Sequence, residues 1–280
     1  MREIKTTDIT ELVARMCIES NCILNSDIED ALEKGQKQET NPLAAEILGD
    51  ILKNAQIARR DMVPICQDTG MAVFFLELGQ DVHITGGGLY DAINRGVEIG
   101  YRDGFLRKSV VADPIRRVNT NDNTPAIIHT EIVEGDGFKI TIAPKGFGSE
   151  NMSAVKMLKP SDGLEGVVDF VVKTVSEASG NPCPPIVVGV GIGGTMEKAA
   201  LLSKKALLRN VGESNPDGFY AELEENLLDK INKLDVGPQG YGGTTTALGV
   251  NIETFPTHIA GLPVAVNISC HVTRHLERAL

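Results

Sequence analysis

Long apolar runs are missing from this sequence. No stretch approaches the roughly 18 apolar residues that a membrane-spanning helix needs. The opening MREIKTTDITELV has no apolar signal core and runs directly into a helical pattern. A soluble cytoplasmic protein is expected. Positive charge is also short: 27 Lys and Arg stand against 38 Asp and Glu, a net charge of -11 and a pI of about 5.0. Such a surface repels nucleic acid and anionic membranes, so neither is expected as a partner. It repels small dianions as well, so an acidic substrate would need a local basic or helix-end site. Cysteine is sparse: Cys17, Cys22, Cys66, Cys183 and Cys270 make an odd, scattered set of five. That pattern argues against a disulfide framework and leaves buried thiols, catalytic thiols or metal ligands. No repeat, low-complexity segment or obvious linker is visible.

The 280 residues, 42% of them hydrophobic, suffice for one large domain or two small ones. Residues 1–60 read as helices. SDIEDALEKG opens with Ser26 and Glu29 at capping-box spacing. NPLAAEILGDILKNAQ offers Asn41 as a cap and Pro42 at the first helical position. Its Leu43, Ile47, Leu48, Ile51 and Leu52 form one apolar stripe. MAVFFLEL suits a buried strand, and a helix is expected near 88–101. TPAIIHTEIV and FKITIAP read as paired strands about a turn at Gly135 to Gly137. A helix over 163–178 precedes the strand PPIVVGV, and two more helices follow in TMEKAALLSKKALLRN and GFYAELEENLLDKINKL. The end is strand-like in ALGVNIETF and LPVAVNIS, with HVTRHLERAL as a short tail. The expected fold is a single α/β domain over 1–280, with a helical layer at about 1–60 and a sheet-containing region at about 61–280.

Cys66, Cys183 and Cys270 share a setting. Cys66, in PICQDTGMAV, precedes a glycine and a strand; Cys183, in NPCPP, sits among prolines before a strand; Cys270 ends a strand and is followed by His271. Cysteines at strand ends can converge on one rim of a sheet, but their spacings match no zinc pattern. Cys66 is open to reading as a nucleophile, a metal ligand or a buried thiol at a turn. Cys17 and Cys22 lie near the end of the first helical pattern and read as packing.

GVGIGG, residues 189–194, matches G-x-G-x-x-G after a strand and before a helix, as a dinucleotide site would. A dinucleotide fold normally opens with βαβ, whereas this chain opens with helices. A tight turn, or a helix N-terminus capped by Thr195 that receives an anion, ranks above NAD binding. KGFGSENMS, with Lys145, Ser149, Glu150 and Asn151, and GYGGTTTALG are two further glycine-rich loops. Together the three suggest backbone amides approaching a ligand. His258, in the turn FPTHIAGLP, and Arg107, in GFLRKSVV, are surface residues unless they point inward, where the arginine would clamp an anion.

Taken together, ICQDTG, LRKSVV, KGFGSEN, NPCPP followed by GVGIGGT, GGTTTALG and the His258–Cys270 pair resemble the class I iron–sulfur hydro-lyases. These are the oxygen-sensitive fumarases and L-tartrate dehydratases. The resemblance spans essentially the whole chain and points to the α subunit of the two-chain form. It implies a [4Fe–4S] cluster held by Cys66, Cys183 and Cys270, with one iron open. It implies that Gln67 and Asp68 face the substrate and that Asp68 tunes a base or relays a proton. Arg107 and the backbone at Gly148 match positions that hold a carboxylate, and His258 matches an active-site histidine. The implied activity is reversible hydration of fumarate to L-malate, with dehydration of L-tartrate to oxaloacetate as the alternative. Fumarate is favoured as the commoner central-metabolic substrate. A separate β subunit, in an assembly such as α2β2, is expected to complete the site and supply the base. The remoter readings are an NAD-binding oxidoreductase built on GVGIGG and a non-catalytic cluster carrier.

Overall fold

The computed structural model describes residues 2–280. A short strand β1 (Arg2–Lys5) leads into the expected helical region, α1 (Thr6–Cys22), α2 (Ser26–Gln38) and α3 (Pro42–Asp61). Then come β2 (Met71–Gly79), β3 (Val82–Thr85), α4 (Leu89–Asp103), β4 (Ile127–Val133) and β5 (Phe138–Lys145). The short α5 (Phe147–Glu150), β6 (Ala154–Leu158), α6 (Gly163–Ala178), β7 (Ile186–Gly193), α7 (Met196–Ala206) and α8 (Gly218–Asn232) follow. The chain ends with β8 (Ala247–Phe255), β9 (Leu262–Ser269) and β10 (Leu276–Ala279). The fold is α/β, as expected. Among the described residues no helix is long and apolar enough to cross a membrane.

Asn41 caps α3 as its position suggests, its side-chain oxygen accepting the Leu43 amide at 3.0 Å. At α2 the cap position falls to Asn25, and Ser26 is already helical. The chain forms two compact units. One comprises the residues up to Leu24, Ala55–Phe147 and Arg274–Leu280; the other comprises Asn25–Asn54 and Gly148–Thr273.

In the first unit the sheet order is β10-β5-β2-β4, beside a parallel β1–β3 pair. The expected pairing of β4 with β5 does not occur, because β2 lies between them, parallel to β4 and antiparallel to β5. The physical reason is burial: Ala72 to Leu76 are buried along β2, and such a run belongs at the centre of a sheet. The Gly135–Gly137 turn therefore wraps the end of β2, where the Gly79 amide donates to the Gly137 carbonyl at 2.8 Å. The C-terminal segment, expected as a tail, supplies an edge strand with Leu276 opposite Ile142. Ile9, Val13 and Met16 of α1 pack with Ile93, Val97 and Tyr101 of α4 and with Phe74 and Ile140 of the sheet. The helices approach closely because Gly96 and Gly100 lack a Cβ; one at Gly96 would lie 2.6 Å from that of Val13.

In the second unit the order is β6-β9-β7-β8. β7 is buried along its whole length, and its residues alternate in role. Ile186, Val188, Val190 and Ile192 join the core formed with α6 and α8. Gly189 and Gly191 point the other way, against α7. A Cβ there would stand 2.1 Å from the Ser203 carbonyl and 2.0 Å from that of Ala199.

Candidate active site

The ICQDTG segment forms a turn ahead of β2. Cys66 and Asp68 are half-buried, Gln67 is exposed, and Thr69 is buried. The turn is held from every side within its unit. The Asp68 amide donates to the Cys66 Sγ at 3.4 Å. Asp68 uses both carboxylate oxygens as acceptors, Oδ1 from the Gly70 amide at 3.0 Å and Oδ2 from the Phe147 amide at 2.9 Å. The Thr69 hydroxyl donates to the Arg107 carbonyl at 3.1 Å. The buried Tyr101 hydroxyl lies 2.9 Å from the Thr69 carbonyl and 3.1 Å from that of Gly70. Burial pushes the Tyr101 phenol far up, so it stays a neutral donor. Gly70 takes φ +74°, and a Cβ there would stand 2.7 Å from the Lys145 carbonyl carbon, so glycine is required. Arg107 lies in the adjoining loop with its side chain exposed.

In the second unit, register puts Cys183 and Cys270 at one end of the sheet. Cys183 is three residues before β7, and Cys270 follows β9, whose Ser269 faces Val187. The Cys183 carbonyl accepts the His271 Nδ1 at 2.9 Å, so the residue after one cysteine grips the backbone of the other. Cys183 is exposed with φ +56°, Cys270 is half-exposed, and the Thr273 hydroxyl donates to the Cys270 carbonyl at 2.8 Å. The Pro184 carbonyl accepts the Gln239 amide at 2.7 Å and its Nε2 at 2.8 Å. His258 sits in the β8–β9 turn, at the opposite end of the sheet from Cys183 and Cys270. The eight residues of β9 separate them, about 25 Å at strand rise. Its Nδ1 accepts the Ala260 amide at 3.1 Å, which leaves the proton of the neutral ring on Nε2. Gly148 is exposed, and the nearest atom to a Cβ there is the Asn181 carbonyl oxygen at 4.0 Å.

The glycine-rich loops have internal explanations. The glycines of GVGIG lie inside β7; Gly189 and Gly191 allow α7 to pack, and Gly193, at φ +95°, lies against the Phe255 carbonyl. Thr195 precedes α7 but directs its hydroxyl to Glu197. In GYGGTTTALG the amides of Thr244 and Thr245 donate to the Glu39 carboxylate at 3.0 Å rather than to a ligand. Partial burial works to raise the Glu39 carboxyl. The amide bonds from Thr244, Asn41 and Thr40, with the Thr245 hydroxyl, outweigh it and bring the group down to about 2. In KGFGSENMS, Glu150 accepts from the Lys204 Nζ at 2.6 Å and from the Asn267 Nδ2 at 3.0 Å, which anchors the loop to β9.

Two comparisons bear on the family. The family described as fumarate hydratase (Fumerase) matches residues 10–279. The chain belongs to this family. Among relatives, a Methanocaldococcus jannaschii protein provisionally named an L(+)-tartrate dehydratase subunit alpha is 43% identical over 272 residues, 95% of each chain. The Escherichia coli K12 L(+)-tartrate dehydratase subunit alpha is 35% identical over 270 residues, 95% of this chain and 88% of that one.

For a member of the fumarate hydratase family, the test of a thiolate-held group is donor chemistry, because a ligand thiol must lose its proton. Cys17 and Cys22 have no exposed surface, and burial raises both thiols, although the Arg274 charge works to lower Cys22. Cys66, Cys183 and Cys270 are accessible. The donors therefore fit in chemistry, while among the described residues no group of three or more His, Cys, Asp or Glu side chains stands ready to hold a metal ion. Tyr101, Gln239 and Arg274 hold the cysteine segments without any signal in spacing or composition.

Proposed function

We propose that this chain is the α subunit of a [4Fe–4S]-dependent hydro-lyase acting on a small hydroxy-dicarboxylate. The observation that carries the reading is the division of cysteines within a chain of this family: three accessible at loops, two sealed in a helix. Cys66, Cys183 and Cys270 would hold the cluster. When bound, the cluster supplies an iron that acts as a Lewis acid on the substrate hydroxyl. The protein's own groups do the rest. Arg107, exposed and without an ion pair among the described residues, offers a guanidinium to a carboxylate against the net charge of -11. The exposed Gln67 and the open backbone at Gly148 add neutral donors. Asp68, with both oxygens on backbone amides, holds the turn in shape and keeps spare acceptor capacity for a proton relay.

His258 can move a proton through Nε2. Its place across the sheet from Cys183 and Cys270 suits a site completed by another chain. A separate β subunit would supply the base and the second carboxylate clamp, within an assembly such as α2β2. A cluster with an open iron and free thiols suits a reducing cytoplasm.

Of the two substrates, L-tartrate gains weight from the names of the relatives, and loss of water from it gives oxaloacetate after tautomerisation. The family description favours fumarate and L-malate as the second reading. The test is anaerobic reconstitution of the chain with ferrous iron and sulfide, followed by assays of L-tartrate, L-malate and fumarate with and without the candidate β chain. Activity should require both chains, fall in air and return with ferrous iron and thiol. Turnover by the α chain alone would overturn the split-site reading, and full activity after air and chelation would overturn the cluster.

A further inference from the structure

Arg274 is buried, with 5% of its surface exposed, yet it forms no ion pair among the described residues. Its Nη2 donates to the Asp68 carbonyl at 2.7 Å. Its Nε and Nη1 are buried and have no hydrogen-bond partner among the described residues. The Asp68 carboxylate accepts from the Gly70 and Phe147 amides and forms no ion pair with Arg274. Cys22 and Tyr101, which feel the Arg274 charge, are themselves held neutral by burial. A guanidinium does not give up its proton, so it remains a cation in this interior. A buried cation against one neutral carbonyl is destabilising unless an anion completes the arrangement.

The segment that Arg274 grips is the one that carries Cys66. Its contact fixes Asp68, and the Asp68 amide in turn donates to the Cys66 sulfur at 3.4 Å. Resting on the cluster reading above, we infer that Arg274 is a positioning residue for the Cys66–Asp68 turn, and that its buried charge is balanced by the negative charge of the thiolate-held cluster. Net charge and hydrogen bonds to sulfur are among the levers that set a cluster's potential. A fixed cation at this turn stabilises the more negative, reduced form and so holds the potential up.

The test uses the full chain, wild type, Arg274→Gln and Arg274→Lys, before and after anaerobic reconstitution with ferrous iron and sulfide. Iron per chain, thermal unfolding and the reduction potential by EPR-monitored titration are read. Before reconstitution, Arg274→Gln should melt no lower than wild type, since an unbalanced charge has been removed. After reconstitution it should gain less stability than wild type and show a more negative potential, which Arg274→Lys restores toward wild type. A potential unchanged in Arg274→Gln, or an equal loss of stability with and without the cluster, would show a clamp with no electrostatic role and overturn the inference alone. A wild-type chain that takes up no iron overturns the cluster reading and this inference together. Where Arg274→Gln does not fold, Arg274→Lys carries the test. With its charge kept and the guanidinium fork lost, it should hold the potential but release iron faster to a chelator, and a fallen potential overturns the inference.

Discussion

Cys17 and Cys22 lie in α1 and are sealed from water, whereas Cys66, Cys183 and Cys270 lie in loops beside strands and are partly or fully exposed. The same contrast recurs for other residue types. Arg209 is buried against Glu224, while Arg107 is exposed and forms no ion pair among the described residues. Gly191 is pressed against the Ala199 carbonyl, while Gly148 faces open space. Residue type alone therefore says little about role. In the interior these groups solve packing and charge problems. At the loop ends they keep surface exposed to solvent.

The largest effect that could break this comparison comes from the cysteines. Serine at Cys66, Cys183 or Cys270 should abolish iron binding and lower activity of the assembled enzyme by more than about 100-fold. Serine at Cys17 should leave iron content unchanged and instead cost about 1–3 kcal/mol of stability, by burying a hydroxyl in an apolar site. Iron analysis and urea unfolding check both, and a Cys183→Ser chain with full iron content would collapse the distinction.

Arg107→Ala sharpens the comparison at the loops. It should lower kcat/KM by about 2–4 kcal/mol, the scale of a lost charged hydrogen bond to a carboxylate, while the cluster spectrum stays as it was. Steady-state kinetics on either substrate give the answer, and an unchanged kcat/KM returns Arg107 to the ordinary surface.

For glycine, Gly191→Ala should destabilise by about 1–3 kcal/mol through overpacking against α7, whereas Gly137→Ala, with nothing near its Cβ, should change stability by less than about 0.5 kcal/mol. Chemical denaturation of the two variants would reveal equal effects if GVGIG were a ligand loop rather than a packing device.

A smaller effect than at Gly191 belongs to Glu39, a half-buried case between the two classes. Its carboxyl titrates at about 2 in the fold, below the ordinary glutamate value. A group depressed in this way contributes stability above the unfolded value and loses it as pH falls through the folded one. Glu39→Gln should therefore cost about 1 kcal/mol near neutrality, after allowance for solvent screening, and the difference should vanish between about pH 4.5 and 2. Urea unfolding at several pH values follows it.

Much of this was legible in the sequence. The Asn41–Pro42 start of α3, the apolar strand β2 and the 163–178 helix follow from local rules, because capping, φ preference and periodicity act over a few residues. The family resemblance was legible for a similar reason, since its motifs are contiguous segments. Tertiary structure decided what depends on residues far apart in the chain. β2 inserts between β4 and β5 because a doubly buried strand needs two neighbours, which no turn signal encodes. Gly189 and Gly191 of GVGIG became packing positions because α7 folds back over β7, and the amides of GGTTT were claimed by Glu39, about 205 residues away in sequence. Arg274 has a place at the Cys66 turn only because the C-terminal segment returns to the first unit's sheet as β10. The sequence by itself determined which side chains could do chemistry. Burial and hydrogen bonding, which depend on contacts distant in the chain, decided which of them lie at the surface.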